Sequence, residues 1–268
     1  MDCHVPARRG RQTAFGFHQT IVQPGIPMPD LLTSLVRRRL RNATGIYPTL
    51  VTEADIATGR VLVFSPHPDD ETIGCGGTMR LHALRGDDVT VIVVTDGEKG
   101  FEHESKPDYA RTRRQEAVDA FARLGVREHV FLGLPDGGVT VSDSNCDLVL
   151  DAIRRVDPDV IYCPSSEELH CDHKATASLV LGAVDYLSSD VQTIEYEVSQ
   201  PLTANILVDI TSVEAEKQAA LSCYTSQQYP QSISELCRGM NRFRAVNLDS
   251  ADIRFVEAFR SSRHQAVS

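Results

Sequence analysis

The sequence contains no apolar run approaching eighteen residues, so no transmembrane helix is expected. Its opening, Met1 to Gln12, carries basic residues with no apolar core behind them, and no secretory signal is expected there. The seven cysteines (Cys3, Cys75, Cys146, Cys163, Cys171, Cys223 and Cys237) are odd in number and scattered, with no CxxC. That pattern excludes a disulfide framework and predicts a reduced, cytoplasmic setting. No GxxxxGKS or GxxxxGKT phosphate loop and no GxSxG elbow occurs. Gly74, Gly76 and Gly77 lack the third glycine of a dinucleotide fingerprint, and the acids before them would repel a pyrophosphate. Positive charge is also short: the net charge is −10, which argues against nonspecific nucleic-acid binding.

What is present is ordinary globular material, 268 residues at 41% apolar and 24% charged, enough for one α/β domain. Residues 1–58 read as an irregular arm followed by a basic amphipathic helix over 30–41, with Arg37, Arg38, Arg39 and Arg41 in its last turns. This helix is expected to pack on the acidic remainder of the protein or on a second subunit; a homo-oligomer is left open. Residues 59–268 form the main domain. Strands are expected at 61–65, 89–94, 130–132, 160–163, 193–198 and 206–210, with helices between them. Thr211 and Glu214 read as a capping box, and the last forty residues as helical. The alternation implies a Rossmann-like, mostly parallel α/β sheet with helices on both faces.

The polar residues gather where two expected strands end. Val61 to Phe64 run into Pro66, and His67, Asp69, Asp70 and Glu71 follow within five residues. Val160 to Cys163 run on to His170, Asp172 and His173. Asp69, Asp70 and Glu71 could simply favour a helix N-terminus, but that leaves His67, between Pro66 and Pro68, unexplained. Two His/Asp clusters at the carboxyl ends of neighbouring parallel strands instead suggest a divalent metal site. His67 and Asp70, three apart, suit one metal, with His173 as third ligand. Asp69 is then placed to take a proton from water, and His170 to act as an acid or hold a developing oxyanion. Asp172 would fix a neighbouring imidazole.

These residues carry a resemblance. His67-Pro-Asp-Asp-Glu71, Ile73 to Gly77 and the His170 to His173 motif resemble the LmbE/PIG-L family of zinc-dependent N-deacetylases. The resemblance extends over about residues 60–250, including Thr95 to Glu98, Arg113, Glu116 and the Leu134 to Gly137 turn. It implies one zinc per chain held by His67, Asp70 and His173, with Asp69 as general base. It implies that His170 stabilises the oxyanion and protonates the amine, and that Arg113 and Asp136 line a sugar pocket. The implied substrate is a small N-acetylglucosamine-type sugar in a glycoside, glycolipid or natural product. Two positions depart from the family pattern: Cys171 stands where a proline is usual, and Pro66 precedes the first motif.

Three alternatives stay open on the residues. One is an amidase of another acyl-amine conjugate. A second is a non-haem iron enzyme, since two histidines and a carboxylate also hold ferrous iron. The third is a sugar-binding module.

Overall fold

The β-branched runs build a sheet whose strands are buried on both faces. The computed structural model describes residues 48–52, 55–99, 107–187, 191–227, 232–246, 248 and 250–261. The basic helix expected over 30–41 lies outside these residues. The strands are β1 (Thr49–Val51), β2 (Arg60–Ser65), β3 (Asp88–Thr95), β4 (Glu128–Leu134), β5 (Val160–Pro164), β6 (Gln192–Tyr196), β7 (Ile206–Asp209) and β8 (Val256–Ser261). The helices are α1 (Asp70–Arg85), α2 (Pro107–Leu124), α3 (Asp143–Val156), α4 (Cys171–Leu187), α5 (Glu214–Leu221) and α6 (Ile233–Ala245). The sheet order is β1-β7-β8-β6-β5-β2-β3-β4. Neighbouring strands are parallel throughout, except that β8 runs antiparallel to both β6 and β7.

Strand alternation splits the core between the two faces. Val61 and Val63 of β2 pack with Met79 of α1, Phe121 and Leu124 of α2 and Ala220 of α5. Leu62 and Phe64, pointing the other way, pack with Val149 and Ile153 of α3 and Leu179 and Val180 of α4. From β2 the chain moves outward through β3 to β4, and β5 then returns to the other side of β2. The crevice at such a reversal, beyond the carboxyl ends of β2 and β5, is where open α/β sheets bind ligands.

Three features differ from the sequence reading. The last forty residues are not all helical, because Val256–Ser261 forms β8 inside the sheet, between β6 and β7. Glu257 and Arg260 interrupt its apolar pattern and hide the strand; both charges are neutralised by distant partners, Lys217 and Glu195. Thr211 does not cap α5: its hydroxyl accepts from the backbone N–H groups of Arg254 and Phe255, and the helix opens at Val213 with no side-chain cap. Residues 49–51, within the N-terminal 1–58 region where no strand is expected, form β1 and pair with β7.

Helix α1 is broken where the site needs it. Cys75 leaves helical geometry at φ −139°, ψ 20°. The buried Lys217 ammonium donates to the freed Ile73 carbonyl at 2.8 Å, ending the first turns. The buried Glu257 carboxylate accepts from Gly77 N and Thr78 N, both at 2.8 Å, and so starts the second segment. The two side chains also pair with each other at 2.6 Å. One ion pair thus supplies a C-cap and an N-cap to the two halves of one helix. Gly74 sits where α1 presses on the sheet; a Cβ there would lie 2.1 Å from the Tyr196 ring.

Candidate active site

The turn from β2 into α1 is held from beneath by Glu71. This fully buried carboxylate accepts from Ser65 Oγ (2.7 Å), Thr72 Oγ1 (2.6 Å) and Tyr224 OH (2.7 Å). Thr95 ties the turn to β3 by donating its N–H and hydroxyl to the Pro66 carbonyl. At the apex Asp69 takes φ 136°, ψ −29°, a conformation costly for a residue with a Cβ. Asp69 stands at the N-cap position yet makes no capping hydrogen bond, so its carboxylate is left facing the cavity. Helix capping therefore does not explain this acid.

His67, Asp70 and His173 converge. His67 Nδ1 and His173 Nε2 each lie 3.0 Å from Asp70 Oδ2 and 3.3 Å from one another. Tetrahedral zinc with bonds of about 2.0–2.1 Å spaces its ligand atoms roughly 3.3 Å apart, so this triangle fits one face of such a site. Burial disfavours charge on both imidazoles, but the surrounding carboxylates outweigh it. His67 is held well above its ordinary pKa by Asp136, Asp172 and Asp70, and His173 is pushed up to about 9, chiefly by Asp70 and Glu168. Asp70, despite its burial, is held well below the usual carboxylate range by the two histidines. A donor set that collects two protons around one buried carboxylate is suited to exchange them for a divalent cation.

The outer nitrogen of His67 meets a second set of carboxylates. Its Nε2 lies 3.1 Å from Asp172 Oδ2 and 3.3 Å from Asp136 Oδ1. Asp172 is fixed in turn by the N–H groups of Gly137 (2.6 Å) and Val139 (3.0 Å). His67, Asp136, His170 and Asp172, or His67, His170 and His173, are close enough to offer further metal ligands. The tighter His67–Asp70–His173 triangle is the better fit, because it leaves the Asp172 oxygens with the backbone donors they already have. His173 Nδ1 faces the buried Glu168 at 3.5 Å, without hydrogen-bond geometry. Glu168 is anchored by Val198 N at 2.6 Å and Ser199 Oγ at 2.6 Å.

His170 completes the group, its ring edge-on to His67 with centroids 4.7 Å apart. The backbone N–H of Asp172 donates to His170 Nδ1 at 3.2 Å, which leaves the ring proton on Nε2. Partial burial and the neighbouring His67 and His173 hold this imidazole below its ordinary pKa, so it is neutral near pH 7. It is therefore a hydrogen-bond donor of fixed tautomer. Asp69 moves the other way: burial, opposed by Arg113 and reinforced by Asp70 and Glu71, raises it to about 7. That value suits a group taking up a proton near neutrality.

Arg113, on α2, lies 3.6 Å from Asp69 and 3.7 Å from Asp136, and donates to the Gly97 and Pro68 carbonyls. Glu116, one turn on, binds Thr225 and Ser226 and so fixes the turn carrying Gln227 against this arginine. His67, Asp69, Asp70, Arg113, Asp136, His170, His173 and Gln227 open on one cavity of about 580 Å³, which α6 also lines, while Asp172, Glu168 and Glu116 support it from outside. Cys171, the departure from the expected motif, is exposed; its sulfur is 3.8 Å from Asp172 Oδ1, and it does not line the cavity.

Every site residue expected from the sequence, His67, Asp69, Asp70, Arg113, Asp136, His170, Asp172 and His173, falls within this one cluster. Glu168 was missed; its only signal is an acid two residues before His170. Lys217, Tyr224 and Glu257 were missed because nothing nearby in sequence pairs with them.

Comparison with known proteins now adds a history to this geometry. Residues 62–184, which carry both histidine motifs, match the family model described as PIG-L: GlcNAc-PI de-N-acetylase. Over that segment the chain is similar to the PIG-L, LmbE-like family. It is 28% identical to a Bacillus cereus protein named "Probable N-acetyl-alpha-D-glucosaminyl L-malate deacetylase 2", over 62% of this chain and 83% of that one. The N,N'-diacetylchitobiose deacetylase of Pyrococcus horikoshii superposes with a TM-score of 0.69 at 25% identity, covering 88% of this chain and 94% of that one. The 4-carboxy-2-hydroxymuconate hydratase of Pseudomonas putida superposes with a TM-score of 0.70, over 79% of this chain and 99% of that one. At 23% identity the last likeness speaks to the fold alone. A deacetylase enzyme is what the family and the named relatives support. No helix among the described residues is long and apolar enough to cross a membrane.

Proposed function

We propose that this protein is a zinc-dependent N-deacetylase of the PIG-L kind that removes the acetyl group of an N-acetylglucosamine-type sugar. The observation that carries the reading is the His67–Asp70–His173 triangle with Asp69 and His170 beside it. His67, Asp70 and His173 would hold the zinc. A zinc ion there would supply Lewis acidity, bringing the pKa of a bound water to about 7 and polarising an amide carbonyl. Asp69 accepts the proton of the attacking water, and the water oxygen forms its bond to the carbonyl carbon. The Nε2–H of His170 donates to the carbonyl oxygen as negative charge develops on it. The C–N bond then breaks, the amine leaves with the proton Asp69 has taken up, and the acetic acid left behind ionises to acetate by losing its hydroxyl proton to solvent. Asp172 and Asp136 hold the His67 ring through Nε2, and Glu168 faces Nδ1 of His173, the carboxylate–histidine pairing common around metal ligands.

A non-haem iron enzyme has less support, because a buried acid raised to about 7 next to a fixed N–H donor serves hydrolysis. The test combines metal analysis with free-amine release from N-acetylglucosamine compounds. About one zinc per chain is expected, with amine release lost on chelation and restored by zinc. Asp69→Asn should keep the metal and lose at least about a hundredfold in kcat. Full activity in that variant, or a protein that takes up no divalent metal, would overturn the mechanism.

A further inference from the structure

The cavity has two chemically different ends. At one, Arg113, Asp136 and Gln227 stand beside Asp69 and offer the polar partners that sugar hydroxyls need. At the other, Ile233, Leu236 and Met240 of α6 line the wall together with Ile73 and Val198, with Asn241, Glu197 and Ser199 as the polar groups beside them. The only arginine or lysine lining the cavity, among the described residues, is Arg113 at the polar end. Arg244, further along α6, is tied to Glu197 and to the Leu202 carbonyl. The apolar wall also continues out of the cavity. Leu236, Met240 and Phe243 repeat at helical spacing along one side of α6, with Leu236 57% and Phe243 64% exposed. Scattered exposed apolar residues need no explanation. A stripe about 10 Å long that begins inside a catalytic pocket and runs to its surface does. An acetyl methyl fills only a small part of such a wall, and sugar hydroxyls gain nothing from it.

We infer that the α6 end is a subsite for an uncharged, apolar aglycone, an alkyl or aryl group on the anomeric oxygen of the amino sugar. This rests on the deacetylase reading and narrows it. Malate, which the Bacillus relative's name specifies, is an anionic aglycone. It would have to leave its carboxylates against hydrocarbon here, with no arginine or lysine among the described residues of this end to receive them.

The experiment measures kcat and KM for methyl, butyl and octyl glycosides of N-acetylglucosamine, for its malate glycoside, and for methyl N-octanoylglucosaminide. From methyl to octyl, kcat/KM should rise by about tenfold or more, mainly through KM. The octyl-to-methyl ratio should fall toward one in Leu236→Gln/Met240→Gln. It should also fall in Phe243→Gln, whose side chain is exposed and whose folding is not at risk. A flat alkyl series with measurable turnover overturns the subsite and leaves the deacetylase standing. So does a gain that follows the N-acyl chain in place of the aglycone, or a malate glycoside that outruns the octyl compound. No amine from any of these compounds overturns the deacetylase reading beneath it.

Discussion

At the scale of single residues, the site is marked by side chains that give up a local advantage. Asp69 holds a backbone conformation, φ 136°, that glycine adopts freely and other residues adopt at a cost of about 1–3 kcal/mol. It also adds an acid to a buried turn that already holds Asp70 and Glu71. An aspartate kept under both penalties serves something other than folding. Asp69→Gly should therefore melt no lower than the parent protein while amine release disappears. A melting temperature lowered by more than a few degrees would mean that the carboxylate, through Arg113, is part of what holds the turn. These residues were legible in the sequence because a ligand set on a strand-ending turn has to be compressed. His67, Asp69 and Asp70 fall within four positions, as do His170, Asp172 and His173. Glu168 was not legible, because it is held by the backbone of residues 198–200 and the Ser199 hydroxyl, about thirty residues away, which no local pattern announces.

At the scale of elements, the broken helix α1 explains how a turn at one sheet edge is aimed. Its first turns carry Asp70 and Glu71, while its second segment packs Met79 and Leu81 into the core. The break between them is set by Lys217 from α5 and Glu257 from β8. Removing one member leaves the other charge buried without its partner, a loss of about 3–5 kcal/mol. Lys217→Met should thus be strongly destabilising and should weaken metal retention, because Ile73 lies one turn beyond Asp69 and Asp70. Lys217→Met/Glu257→Gln should cost clearly less than the sum of the two single changes, as measured in urea. Additive losses would show that each group acts on the helix independently. The same pair explains why β8 was not legible. Its charges at 257 and 260 interrupt the apolar run that marks a buried strand, and only the folded chain supplies Lys217 and Glu195 to them. The parallel strands β2, β3 and β5 were legible because strands covered on both faces need uninterrupted apolar runs.

At the scale of the whole molecule, the proposed metal joins two halves that the sequence separates by about a hundred residues. His67 and Asp70 belong to the β2–α1 turn, His173 to the start of α4, and the sheet brings them together at the reversal between β2 and β5. A ligand bound only by the folded state stabilises it, and here that effect has a definite pH dependence. In the metal-free chain the His173 pKa is raised to about 9, and His67 is raised as well, mainly by their carboxylate neighbours against the opposing pull of burial. Groups with raised folded pKa values contribute stability that is complete below the unfolded value of about 6.5 and is lost as pH rises through the folded value. The metal-free protein should therefore weaken between pH 6.5 and 9. With zinc bound, the two imidazoles are neutral ligands and that loss is absent. The difference in melting temperature between zinc-loaded and chelated protein should accordingly widen by several degrees from pH 6.5 to 8.5. A difference that stays constant or narrows over that interval would separate the histidine pair from the metal, and the convergence of β2 and α4 would then need another cause.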